Sequence, residues 1–100
     1  MYIAMNRFKI VNGREKDFEK IWQNRDTHLE KVKGYKEFHL IKGAKEDSFT
    51  LYASHTIWVT KDDFVKWTQS DAFRIAHKGA GKHGDMYIGH PVFEGFDVVI

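Results

Sequence analysis

The sequence predicts an α+β fold in which one antiparallel sheet carries helices on one of its faces. Three observations predict it. Four stretches read as strands, by strict alternation or by β-branched and aromatic content. The stretches between them carry apolar residues at helical spacing. The order is strand, helix, strand, strand, helix, strand, the ferredoxin-like split βαβ arrangement. A length of 100 residues suits a single domain over 1–100.

Residues 2–11 alternate, with Tyr2, Ala4, Asn6, Phe8 and Ile10 on one face. Asn12-Gly13 punctuates that strand. A helix is predicted over Glu15–Lys33, with Phe18, Ile21, Trp22, Leu29 and Val32 on its stripe, broken only where Arg25 or Asp26 falls. Asn12 with Glu15 suits a capping box, Lys31 and Lys33 suit a last turn, and Gly34 suits a stop. Tyr35–Lys42 and Ser48–Val59 are the next two strands, joined by a loop over 43–47. Along the second of them one alternate set is Phe49, Leu51, Ala53, His55 and Ile57. The other is Thr50, Tyr52, Ser54, Thr56 and Trp58, polar but uncharged, which reads as the semi-apolar open face of the sheet. Such a face pairs with a second copy, so a homodimer is expected. Thr60 caps a short helix over Lys61–Thr68, and Ser70-Asp71 caps another whose stripe is Phe73, Ala76, His77 and Ala80. Gly79–His90 reads as a glycine-rich loop and Val92–Ile100 as the last strand.

Composition narrows the function. No cysteine means no disulfide frame, thiolate nucleophile or iron–sulfur cluster, and a reducing, cytoplasmic setting is expected. Sixteen basic against fourteen acidic residues, evenly scattered, argue against nucleic acid as partner. No apolar run approaches the roughly 20 residues that span a bilayer, so no membrane partner is expected either. Aromatic residues make up 15% of the chain, a heavy load for a fold that buries only about two-thirds of its surface. Either the core is bulky or some rings line a flat ligand.

Three residues break the pattern. Asn6 occupies an interior phase of the first strand, where it is either satisfied by neighbouring backbone or aimed as a donor into a cavity. His77 faces inward beside small Ala76 and Ala80, as a core histidine, a general base or a metal ligand. Trp67 sits with Phe64 on an inner face, as core or as a ligand wall. The six histidines show no paired zinc spacing, although His83 and His90 in the glycine-rich loop remain secondary candidates.

The segments Met5-Asn6-Arg7-Phe8 and His55-Thr56-Ile57-Trp58, and above all the run from Phe64 to Lys78 containing Trp67-x-x-Ser70-Asp71-x-Phe73-x-x-Ala76-His77, resemble the haem-degrading monooxygenases of the antibiotic-biosynthesis-monooxygenase superfamily, of the staphylococcal haem oxygenase type. The resemblance covers essentially the whole chain. It implies a dimer of ferredoxin-like subunits forming an α/β barrel, with one haem pocket in each. It also implies haem as substrate and cofactor together, O2 as oxidant, iron release, and an external electron donor such as a flavoprotein reductase or ascorbate. By residue it implies His77 as axial ligand of the haem iron, Asn6 as distal hydrogen-bond donor and Trp67 against the macrocycle. Trp22 and Arg25 fall at positions that in some relatives touch the haem edge or propionates, and Phe73 joins them as a ring contact. The alternatives are a cofactor-independent quinol or polyketide monooxygenase of the same fold, a non-catalytic haem-binding module, and a structural dimeric domain.

Overall fold

β1 (Tyr2–Val11) turns one alternate face to the helices, burying Tyr2, Ala4, Phe8 and Ile10 and half-burying Asn6, as the alternation predicts. In a computed structural model, which describes residues 1–25, 28–76 and 84–100, it is joined by β2 (Tyr35–Lys45), β3 (Phe49–Trp58) and β4 (Val92–Asp97). The sheet order is β2-β3-β1-β4 with every neighbouring pair antiparallel. α1 (Glu15–Asn24), α2 (Lys61–Thr68) and α3 (Asp71–Ala76) complete the predicted α+β, ferredoxin-like arrangement. A single 3₁₀ turn, Gly84–Met86, interrupts what reads as plain loop in the sequence.

Three local expectations are corrected. α1 ends at Asn24 rather than Lys33, because Arg25 is extended (φ −79°, ψ 128°). A continued helix would hold Arg25 on the stripe that faces the core. Ending it instead lets residues 28–33 turn back, with Val32 N–H bonded to the Leu29 carbonyl, and buries Leu29. The capping box forms only in part. Glu15 accepts from the Gly13 N–H at 2.6 Å, but Asn12 spends its amide on the Glu46 and Asp47 carbonyls of the β2–β3 turn. The third correction concerns β3. Its polar-looking set faces the helices: Thr50, Tyr52, Thr56 and Trp58 are buried, while Phe49, Leu51, His55 and Ile57 lie half-exposed on the open face. The register explains this, since Tyr52 lies opposite Phe8 and Trp58 opposite Tyr2. Two large rings bring more apolar area into the core than the leucine and isoleucine they displace.

The polar atoms that follow those rings inward are paired. Trp58 Nε1 donates to Thr56 Oγ1 at 2.9 Å, and Thr56 Oγ1 donates to the Ala4 carbonyl. Tyr52 Oη donates to Glu19 at 2.5 Å, and burial, reinforced by Glu19, pushes the Tyr52 phenol above its ordinary pKa. The buried side chains form two clusters, one around Tyr2, Ala4, Leu29, Trp58 and Trp67, the other around Phe8, Ile10, Phe18, Tyr52 and Met86.

Candidate active site

The buried residues of the two clusters stay separate, bridged through half-buried Trp22 and Phe38. Between Ala4 of the first and Phe8 of the second, β1 presents Asn6, and opposite it β3 presents Ser54. These short polar side chains leave room above them, and a cavity of about 880 Å³ opens there. That volume falls within the roughly 300–1,000 Å³ of small-molecule sites. The sheet supplies the floor with Asn6, Phe8, Phe38, Ser54 and Thr56. The end of α1 and the turn that follows it supply Trp22, Arg25 and Leu29, and α2 and α3 supply Phe64, Trp67, Thr68 and Phe73. The segment leading into β4 adds Tyr87 and His90, and β4 adds Phe93.

Five of the predicted site residues, Asn6, Trp22, Arg25, Trp67 and Phe73, therefore line one cavity. His77 and His83 lie outside the described residues, and His90 is exposed at the cavity edge. The Asn6 carboxamide makes no hydrogen bond among the described residues, so neighbouring backbone does not satisfy it. Trp67 is buried against Trp58 at 5.5 Å and meets the edge of Phe73 at 4.8 Å and 84°. Ser70 fixes this pair: its hydroxyl donates to the Trp67 carbonyl at 2.6 Å and accepts from the Phe73 N–H at 3.2 Å. The serine of the Trp-x-x-Ser-Asp-x-Phe run thus joins α2 to α3 and holds both rings in the wall.

Trp22 stacks on Phe38 at 5.6 Å and 18°, and its buried Nε1 has no hydrogen-bond partner among the described residues. The Arg25 guanidinium lies 4.3 Å from the centre of the Trp22 ring. It is half-buried and forms no ion pair among the described residues. Burial holds its pKa below the ordinary value, although arginine stays protonated in proteins. Burial likewise pushes the Tyr87 phenol up, with the nearby Arg25 charge acting against the shift. The result is a cavity walled by rings, with a guanidinium and an indole N–H that have no acid or acceptor among the described residues.

Sequence reasoning missed Phe38, Phe93 and Tyr87. Alternation could have found Phe38, which is in register with Thr56 on the inner face, and Phe93, which is opposite Asn6. Tyr87 carries no such signal, because it follows a glycine-rich stretch without periodicity.

Comparisons with known proteins place the fold and the family. The family model described as antibiotic biosynthesis monooxygenase matches residues 1–79. The chain is 34% identical over 104 residues to the heme-degrading monooxygenase of Shouchella clausii, an alignment spanning 100% of this chain and 92% of that protein. It is 28% identical over 85 residues to the staphylobilin-producing heme oxygenase of Staphylococcus epidermidis, spanning 85% of this chain and 81% of the relative. In structure it resembles the heme-degrader MhuD from Mycobacterium tuberculosis, solved with two hemes in its active site. The TM-score is 0.76 over 100% of this chain and 97% of that one at 22% identity, a likeness of fold. β1 to β3, α1 to α3 and five of the predicted cavity-lining residues all fall inside the matched stretch, and on that footing the chain belongs to the antibiotic biosynthesis monooxygenase family.

Proposed function

We propose that this protein is a haem-degrading monooxygenase that takes haem as its substrate and opens the porphyrin ring to release iron. The observation that carries the proposal is the cavity itself: an aromatic slot of about 880 Å³ with Asn6 in its floor and Arg25 at its end. The residues fit the group. Trp67, Phe73, Trp22 and Phe38 offer faces and edges to a planar macrocycle. Arg25, which pairs with no carboxylate among the described residues, offers charge to a propionate. The relatives named as heme-degrading support the same reading.

Once bound, haem supplies the redox centre at which O2 is reduced with electrons from an external donor. The chain's own residues do the rest. On the strength of the resemblance, His77 would hold the iron through a ring nitrogen. Asn6 would offer its amide N–H as a fixed donor that stabilises developing negative charge without reorganising. Trp67, packed against Trp58 and Phe73 and tied by the Ser70 bridge, would hold the macrocycle in place. A homodimer joined through the open sheet face and a flavoprotein reductase or other electron donor complete the proposal.

The test is a haem titration followed by reductant. A stoichiometric Soret complex is expected, then loss of that band and release of iron when ascorbate or a reductase system is added in air with catalase present. A complex that survives reductant unchanged would instead mark a haem-binding module. No complex at all, with turnover of a phenolic substrate, would mark a cofactor-independent oxygenase.

A further inference from the structure

At the C-terminal end of α1 the cavity wall holds two polar groups with no acid to match them among the described residues. Arg25 contributes a half-buried guanidinium that pairs with no acid there, whereas the Trp22 Nε1–H is fully buried and does not reach the cavity. The second group is Tyr87. Its backbone is held against the sheet by a bridge to Ile10 and by the Ile88 N–H bonded to the Lys9 carbonyl at 2.9 Å. The preceding residues are clamped as well: Asp85 pairs with Arg14 at 2.8 Å and Met86 is buried. The Tyr87 ring packs 6.1 Å from Phe8 and perpendicular to Phe18 at 5.9 Å. Packing therefore accounts for the ring but not for the hydroxyl, which has no hydrogen-bond partner among the described residues. Tyr87 and Arg25 line the same cavity.

We infer that Tyr87 is a substrate-binding residue whose hydroxyl, in the same cavity wall as the Arg25 guanidinium, donates to a carboxylate of the ligand. A guanidinium that only donates and a hydroxyl free to donate suit an acceptor-only anion, and a carboxylate is one. A tyrosine on a clamped segment places its donor at little entropic cost, since the ring is already ordered by Phe8 and Phe18. The inference rests on the haem reading, because haem carries two propionates on one edge. It adds to that reading a specificity: free carboxylates are preferred to their esters, and Tyr87 supplies part of the preference.

The test compares haem with haem dimethyl ester in wild type, Tyr87→Phe, Arg25→Gln and the double variant, reading affinity from Soret titrations. Phenylalanine keeps the ring packing. Tyr87→Phe is expected to weaken haem binding by about tenfold or more, the usual scale for a hydrogen bond to a charged group. Binding of the ester should change by no more than about twofold, a margin well inside that expected loss. The two substitutions should be non-additive for haem, because they face one carboxylate. In turnover, Tyr87→Phe should raise KM and leave kcat nearly unchanged. Equal losses for haem and ester, or an unchanged haem affinity in Tyr87→Phe, would overturn the inference while leaving the haem reading standing. A wild type that binds neither ligand overturns both.

Discussion

Asn6 lies in a cavity floor with its amide unpartnered among the described residues, and an amide removed from water without a hydrogen bond costs on the order of 1–3 kcal/mol when fully buried. Asn6 is only half-buried, so its cost is a fraction of that. An unpartnered polar residue at this place does not serve the resting fold. Asn6→Ala is accordingly expected to leave the melting temperature unchanged or slightly raised, to retain haem binding, and to lose most haem turnover. Thermal melts beside a turnover assay check it, and native-rate degradation would remove Asn6 from the mechanism. This residue was visible in the sequence because a period of two puts position 6 in phase with Ala4 and Phe8. Trp67 and Phe73 were visible for a similar reason, each lying at helical spacing from other apolar residues. Tyr87 was not, because its place is set by a backbone bridge to Ile10 that joins residues far apart in the chain.

At the level of elements, the strands and helices were readable in number, type and order, and their ends were not. α1 was expected to run nine residues further because Leu29 and Val32 keep its helical phase; the structure ends it after Asn24 and still buries Leu29 by a turn. Phase alone cannot tell a continued helix from a chain that returns to the same core. β3 was read with its faces exchanged, since counting polar against apolar residues ignores that Tyr52 and Trp58 bring rings large enough to carry Thr50 and Thr56 inward. The β1–β4 pairing holds a test of such close packing. Gly95 lies beneath Tyr2, where a Cβ would collide with the phenol, and the Tyr2 ring is held at 5.7 Å by Phe64. Gly95→Ala is expected to destabilise by about 1–3 kcal/mol. That corresponds to roughly 4–8 °C in melting temperature for each kcal/mol in a domain of this size. A wild-type melting curve would show that Tyr2 moves aside freely.

For the whole molecule, the consequence of exchanged faces is a sheet whose outer side is more apolar than the sequence reading supposed. Ile3, Met5, Leu51 and Ile57 lie there half-exposed, flanked by exposed Ile41, Val92 and Phe96, with the Arg7–Glu94 ion pair among them. A second copy is the proposed cover. Sedimentation is expected to show a dimer, and Ile57→Glu is expected to yield a monomer with native circular dichroism. A dimer that persists in Ile57→Glu would place the contact elsewhere.

The crowding of rings around the cavity also makes the protein its own optical probe. Trp22 and Trp67 line the cavity and Trp58 lies 5.5 Å from Trp67, so all three indoles of the chain stand within one ring of the cavity. The proposed macrocycle, absorbing near the emission of tryptophan, would quench all three at once by energy transfer. Occupancy of the slot is then readable as darkness in the near ultraviolet, with no label added and no dependence on the state of the iron.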